Sequence, residues 1–189
     1  SKYYSGRAPL EAAYMGVDLA DGALAFRCNL VTISDDKMAD YSAGHISSSE
    51  AAILISELNR SLGSAGIKFY PGVSYRHLVV LKNEKVKELA SALCTPPHDI
   101  LGQQIKRFLP KGSESQRLIH LMGKSKKVLA SHEINKVRID LNENPANMIW
   151  LWGQGRKPKM PNYKDAFGIS GGIISAVDLI KGMGRILGL

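Results

Sequence analysis

Apolar runs of strand length alternate with amphipathic stretches of helix length, and Pro and Gly clusters separate them. That alternation predicts an α/β domain in which a mixed β-sheet carries flanking helices. The chain has 189 residues, 44% of them hydrophobic and 22% charged, enough to bury one core and far from the polar composition of disorder. No internal repeat or low-complexity tract breaks the pattern.

Pro9 opens a short helix through Met15 that Gly16 closes. Ala23 to Ile33 reads as a strand, and its period of two puts Arg27 and Asn29 on one face. Ser34 to Asp36 is a turn. The Ser47-Ser48-Ser49-Glu50 cluster supplies N-caps for an amphipathic helix through Leu62, which Gly63 and Gly66 end. Ile67 to Tyr70 and Ser74 to Leu81 are strand-like runs about the Pro71-Gly72 turn.

Lys82 to Leu93 reads as a short helix or an irregular segment, and Thr95 to Asp99, with two prolines, as an extended loop. Ser113 to His132 is helical, with Leu118, Leu121, Met122, Val128 and Leu129 on one stripe and Lys124, Lys126 and Lys127 facing water. Asn147 to Trp152 is a strand, Pro158 to Asp165 a polar connector, and the last part a Gly-rich strand followed by a helix ending near Gly188.

Only Cys28 and Cys94 are present, so neither a disulfide framework nor a cysteine zinc site can be read, and a reducing cytoplasm is expected. The start carries no basic and apolar leader, and no apolar run is long enough to span a bilayer, so the chain is expected to be neither exported nor membrane-spanning. It opens on Ser1 rather than Met, as expected of a piece of a longer protein. His45, His77, His98, His120 and His132 form no metal-binding spacing, and neither a phosphate-cradling Walker loop nor a nucleophile elbow occurs. The net charge of +8 favours an anionic partner: nucleic acid, a membrane surface or a phosphorylated metabolite. The basic residues are dispersed without interleaved aromatics, which counts against nucleic acid.

Arginines carry most of the remaining signal, because a guanidinium fork meets two oxygens of a phosphate or carboxylate at once. Arg7 precedes the first helix, Arg27 sits inside an apolar strand, Arg76 opens another, and Arg138 follows the long helix. A strand-embedded Arg27 needs either an internal carboxylate or a bound anion. Arg7 and Arg76 suit capping or surface roles equally well. His98-Asp99 follows two prolines as a stiff donor and carboxylate, or as a loop cap. His45 reads as a phosphate donor or as a cap for the next helix, and His120 and His132 as solvated or core-edge residues. Trp150 and Trp152 share a strand face and read as core, and Gly153-Gln154-Gly155 offers the close backbone approach of a ligand loop.

The order of several short motifs carries a resemblance. They are Gly6-Arg7-Ala8-Pro9-Leu10-Glu11-Ala12, Phe26-Arg27-Cys28-Asn29, Ser42-Ala43-Gly44-His45-Ile46, Tyr75-Arg76-His77, Pro97-His98-Asp99, Pro145-Ala146-Asn147, Ile174-Ser175-Ala176 and Lys181-Gly182. Over nearly its whole length the chain resembles the archaeal-type cofactor-independent phosphoglycerate mutases, whose relatives include phosphonopyruvate decarboxylase-related proteins and proposed homoserine kinases. The resemblance implies the insertion domain of an alkaline-phosphatase-superfamily enzyme. Residues 1–165 would be the substrate-binding insert, and residues 166–189 a strand and helix returning to a phosphatase-like half.

That half would carry the phosphoserine nucleophile and a divalent metal (Mn, Mg or Zn), leaving this chain without cofactor, metal or catalytic residue and inactive alone. Its partners would be 2- or 3-phosphoglycerate and the other half of the same protein, with no nucleic acid or membrane. The motifs carry over Arg7, Arg27, Asn29, His45, Arg76, His98 and Asp99 as substrate-binding residues, with Lys181 a looser match. Related members often have Arg in the Asp40 to His45 segment, where this sequence has Ser and His, so a difference in the phosphate grip or in the substrate is expected there. The alternatives are a homoserine-kinase-like phosphotransferase on the same fold and a basic nucleic-acid-binding module.

Overall fold

A computed structural model describes residues 5–82 and 86–189. Its elements run α1 (Ala8–Tyr14), β1 (Leu24–Ser34), β2 (Lys37–Asp40), α2 (Ser48–Leu62), β3 (Ile67–Tyr70), β4 (Arg76–Leu81) and α3 (Val86–Leu89). After two 3₁₀ turns at Pro97–Ile100 and Ile105–Phe108 come α4 (Ser115–Ala130), α5 (Glu133–Asp140), β5 (Met148–Gly155), α6 (Tyr163–Phe167) and α7 (Asp178–Leu187).

The fold is α/β with flanking helices, as the alternation predicted, and all ladders among the named strands are antiparallel where a mixed sheet was expected. Short connections account for two of the four ladders. Asp35 and Asp36, both at positive φ, turn β1 into β2, and a tight turn joins β3 to β4; such links return the chain alongside itself, whereas parallel neighbours need a long crossover. The sheet runs β2-β1-β4-β3, with β5 also paired to β1. β1 is therefore central, and its residues from Leu24 to Ile33 are all buried.

Period-two alternation divides β1 between two cores. Leu24, Phe26, Cys28 and Leu30 meet Val79 and Leu81 under α2 and α4, with Leu54, Leu58, Leu118 and Met122 completing the larger core. Ala25 faces the other way, into a small core of Leu78, Val80, Ala8, Ala12 and Leu19 beneath α1. Arg27 and Asn29 fall on that second side and are buried there, Arg27 beside Glu11 of α1.

α2 begins on a capping box between Ser47 and Glu50, and α4 buries the Leu118, Leu121, Met122 and Leu129 stripe. Two elements escaped the sequence reading. α5 buries only Asn135 and Arg138, so no apolar stripe announces it; the His132 ring accepts from the Ile134 N–H to start it. β2 is four residues long with one buried side chain.

Three expectations need correction. Pro97–Ile100 is a 3₁₀ turn rather than extended, since Pro at its first position supplies the helical φ. Part of the polar connector is helical, as α6. The segment 168–177 forms no strand; Gly168, Gly171 and Gly172 offer neither side chains to pack nor β-propensity. α7 does follow and docks on α1 through Gly182, where an added Cβ would lie 1.8 Å from the Leu10 carbonyl oxygen. Of the expected segment from Lys82 to Leu93, residues 83–85 lie outside the described residues.

His77 is buried on β4, and its Nδ1 accepts the Gly72 N–H, pinning the turn before the strand. Burial lowers its pKa to about 3. The unfolded chain therefore takes up this proton near pH 6.5 while the folded chain refuses it, so stability falls on acidification below pH 6.5. Urea melts should show up to about 1.4 kcal/mol lost per pH unit between pH 6.5 and 5 from this group, a slope that His77→Leu removes. On α2, Leu54→Ala should cost about 2–5 kcal/mol, and Ile53→Ala, at a position 55% exposed, within about 0.5 kcal/mol.

Candidate functional site

Strand register assembles the site. Across β1, Arg27 stands opposite Trp152 of β5, and Asn29 opposite Arg76 of β4, so all four belong to the α1 side of the sheet. A bulge shifts the β1–β5 register between Ala25 and Arg27; on β5 it spans Gly153, whose φ of +59° favours glycine and which lies in van der Waals contact with Arg7 and Arg27.

Arg7 arrives by backbone contact. A Cβ on Gly6 would lie 2.0 Å from the Gln154 carbonyl oxygen, and one on Gly155 would lie 1.7 Å from that of Ser5. The Gly153-Gln154-Gly155 stretch, read from sequence as a ligand loop, thus receives the chain's own Ser5-Gly6 segment and lays Arg7 beside Arg27. The two guanidinium carbons stand 5.9 and 4.5 Å from the Trp152 ring centre.

Glu11, one turn into α1, serves both arginines: Oε1 is 3.0 Å from Arg7 Nε, and Oε2 is 3.0 Å from Arg27 Nε. The second contact is one of charge and proximity only, since Arg27 Nε has no hydrogen-bond partner of proper direction. Burial pushes Arg27 down to about 10; Glu11 opposes the shift, and the charges of Arg7 and Arg76 add to it. The guanidinium stays charged at neutral pH. Two arginines thus share one carboxylate and Arg76 adds a third cation nearby, leaving an excess of positive charge that a bound anion would neutralise.

Aromatic rings form the rim. Arg76, exposed, lies 5.5 Å from the Tyr75 ring centre, and Tyr75 meets the rings of Tyr41 and His45 edge-on, each at 6.1 Å. Tyr41 continues to His98 at 6.2 Å, and His98 to Trp152 at 5.3 Å. Asn29 ties the wall together: its Oδ1 accepts from Trp152 Nε1 at 3.0 Å, and its Nδ2 donates to the Tyr41 carbonyl at 3.3 Å. Arg7, Arg27, Asn29, His45, Arg76 and His98 therefore belong to one constellation.

The remaining candidates stand apart. Asp99 is exposed, with a carboxylate oxygen 3.6 Å from His98 Nε2. Lys181 lies over the Tyr14 ring at 5.1 Å, at the far end of α1 from Arg7, about 10 Å along the helix axis. Arg138 is buried beneath the 40–45 loop. Ser47, not His45, caps α2. The sequence reading missed Glu11 as the shared counter-ion, although its i, i+4 spacing from Arg7 is the signature of a helical ion pair. It also missed Tyr41 and Tyr75, which flank named residues.

A recess of about 450 Å³ behind α1, lined by residues including Val17 and Met160, and a groove of about 280 Å³ beside α4 are better enclosed. Neither gathers three guanidinium groups, and charge placed where a ligand needs it is the stronger criterion for a phosphate site. Among the described residues, no group of three or more His, Cys, Asp or Glu side chains could hold a metal. The donors present here repel cations and do not fit one.

A family model described as 2,3-bisphosphoglycerate-independent phosphoglycerate mutase matches residues 1–135. The chain belongs to that family. The mutase of Methanosarcina barkeri is 52% identical over 187 residues, covering 99% of this chain and 46% of that protein. The probable mutase of Geobacter sulfurreducens is 47% identical, covering 98% and 47%. This member of the family therefore spans about half the length of the curated relatives it matches. The solved cofactor-independent phosphoglycerate mutase of Thermoplasma acidophilum superposes with a TM-score of 0.70 at 23% identity, over 99% of this chain and 51% of that one, which is a likeness of fold. No helix among the described residues is long and apolar enough to cross a membrane.

Glu11→Gln should leave a buried guanidinium without its counter-charge and lower stability by about 3–5 kcal/mol in phosphate-free buffer. Thermal melts should show part of that loss recovered with millimolar inorganic phosphate, which binds the folded state alone. A variant as stable as the parent would show that Glu11 is not the required partner.

Proposed function

We propose that this chain is the substrate-gripping half of a phosphoglycerate mutase that interconverts 3-phosphoglycerate and 2-phosphoglycerate. The convergence of Arg7, Arg27 and Arg76 on one face, against the single carboxylate of Glu11, carries the reading. Phosphoglycerate has two anionic groups, a carboxylate and a phosphoryl group, and three guanidinium charges against the one carboxylate of Glu11 leave a net positive charge that suits them. The other half would supply the phosphoserine and its divalent metal. Glycerate must stay held between loss of the phosphoryl group from one hydroxyl and its return to the neighbour, and holding it so is catalysis by proximity.

Residues 1–165 form the gripping domain in this reading, and 166–189 return toward the phosphatase-like half. Exposed Phe167, Ile169, Ile174 and Val177 support that return, whereas α7 itself packs on α1. An enzyme of this glycolytic step works in the cytoplasm. A homoserine-like substrate would need a carboxylate for its amine, and Glu11 is already held by two arginines.

Titration calorimetry with 3-phosphoglycerate tests the proposal on the chain itself, followed by quenching of Trp152 fluorescence. Arg76→Ala should weaken binding by about tenfold or more, as loss of a charge-assisted contact does, with little change in melting temperature because Arg76 is exposed. Absence of binding by the parent chain, or binding indifferent to Arg27→Ala and Arg76→Ala together, would overturn it.

A further inference from the structure

The loop from Asp40 to His45 adopts a conformation that nothing in chain connection alone requires. Ala43, Gly44 and His45 all sit in the left-handed region, at φ 49°, 64° and 51°, and two of the three carry a Cβ that disfavours it. Gly44 and His45 are exposed, so burial of their own side chains does not enforce the shape. The enforcement comes from Asp40 and Arg138.

Asp40 Oδ1 accepts from the Ser42 N–H at 2.7 Å and from Ser42 Oγ at 2.6 Å; Oδ2 accepts from the Gly44 N–H at 2.7 Å and from Asn144 Nδ2 at 3.0 Å. Arg138, 4% exposed, reaches across from α5. Its Nη2 donates to the Ala43 carbonyl at 2.9 Å and its Nε to the Asn144 carbonyl at 3.0 Å, while Nη1 lies 3.1 Å from Glu50 and 3.0 Å from Glu143. A Cβ on Gly44 would lie 2.9 Å from Arg138 Nη2, so the arginine is packed directly beneath the strained turn.

A second strut fixes what His45 faces. Ser74, itself at φ 54°, donates from Oγ to the Ile46 carbonyl at 2.7 Å and from its N–H to Ser48 Oγ at 3.0 Å. Those bonds tie the segment before Tyr75 to the segment after His45, and the two rings meet at 6.1 Å.

Backbone strain held by a fully committed buried arginine, in a segment whose tip faces solvent, points to a side chain that must be aimed. We infer that Asp40 and Arg138 are positioning residues, which hold His45 in the left-handed conformation against Tyr75 on the rim of the arginine cluster. Removing either would free the backbone to relax and would swing His45 away from the anion. Resting on the phosphoglycerate reading above, the inference adds that His45 acts on bound substrate only in this aimed position.

Two measurements on the full 189-residue chain decide it. In histidine-ring NMR, Asp40→Asn should move the His45 Cε1–H signal toward the value of a free histidine, because the ring loses the shielding of Tyr75, while the other ring signals keep folded positions. Affinity for 3-phosphoglycerate should fall by about tenfold, one charge-assisted contact, and Asp40→Asn combined with His45→Ala should bind no more weakly than His45→Ala alone. Arg138→Lys, which keeps the charge but not the fork, should give the same signal change. If Asp40→Asn does not fold, Asn144→Ala, at an exposed position, removes one of the Asp40 bonds and is read the same way. An unmoved His45 signal, or losses that simply multiply, overturns the inference. A parent chain that binds no 3-phosphoglycerate overturns the functional reading instead, and the ring signal still decides the positioning.

Discussion

A guanidinium on a central strand has to be answered by negative charge, and this structure answers it incompletely. Arg27 is 4% exposed on β1, and the one carboxylate beside it, Glu11, is divided with Arg7. Had a dedicated carboxylate faced each arginine, the cluster would be a structural ion-pair network of the kind that fixes a core and binds nothing. Here the positive charge exceeds the internal supply of carboxylate.

The fold gathers that excess on the α1 side of the sheet. β1 is packed on both faces along its first half, by α2 and α4 on one side and by α1 on the other, but α1 spans only seven residues. Arg27, held by Glu11 of that helix, and Asn29 and Arg76 beyond it occupy the same side of the sheet. Glycines then bring the final arginine in. Gly6 and Gly155 let two backbones approach closer than any side chain would permit, and Gly153 takes the positive φ of the bulge. These glycines shape the cluster by backbone geometry.

Local chemistry explains which parts were legible in the sequence. α1, β1, α2, β3, β4, α4 and β5 were readable because each has a strong period, a cap or a turn signal that states its limits. α5 was not, because a helix that buries only an asparagine and an arginine has no apolar stripe, and the Gly-rich strand was over-read from apolar content that no neighbouring strand pairs. Within the site, Arg27 and Asn29 could be placed on one face by counting, and six of the eight candidates converge. Lys181 could not be placed correctly, because whether α7 lies near Arg7 or near Tyr14 depends on how one helix docks on another through Gly182. The shared role of Glu11 likewise needs the packing of α1 on β1 that brings it to Arg27.

The choice of arginine at the buried position follows from the same electrostatics. Burial and two neighbouring cations bring Arg27 down to about 10, which still leaves it charged throughout the physiological range. A lysine begins about two pH units lower, and comparable burial would bring its titration much closer to neutral pH. It would also offer a single point of contact rather than a fork. Arginine therefore keeps the excess charge present before any anion arrives. Its planar face can rest on the Trp152 ring at 4.5 Å while its edge is directed elsewhere. Tryptophan at 152 and arginine at 27 are in this sense one device, the ring supporting a cation that burial alone would expel.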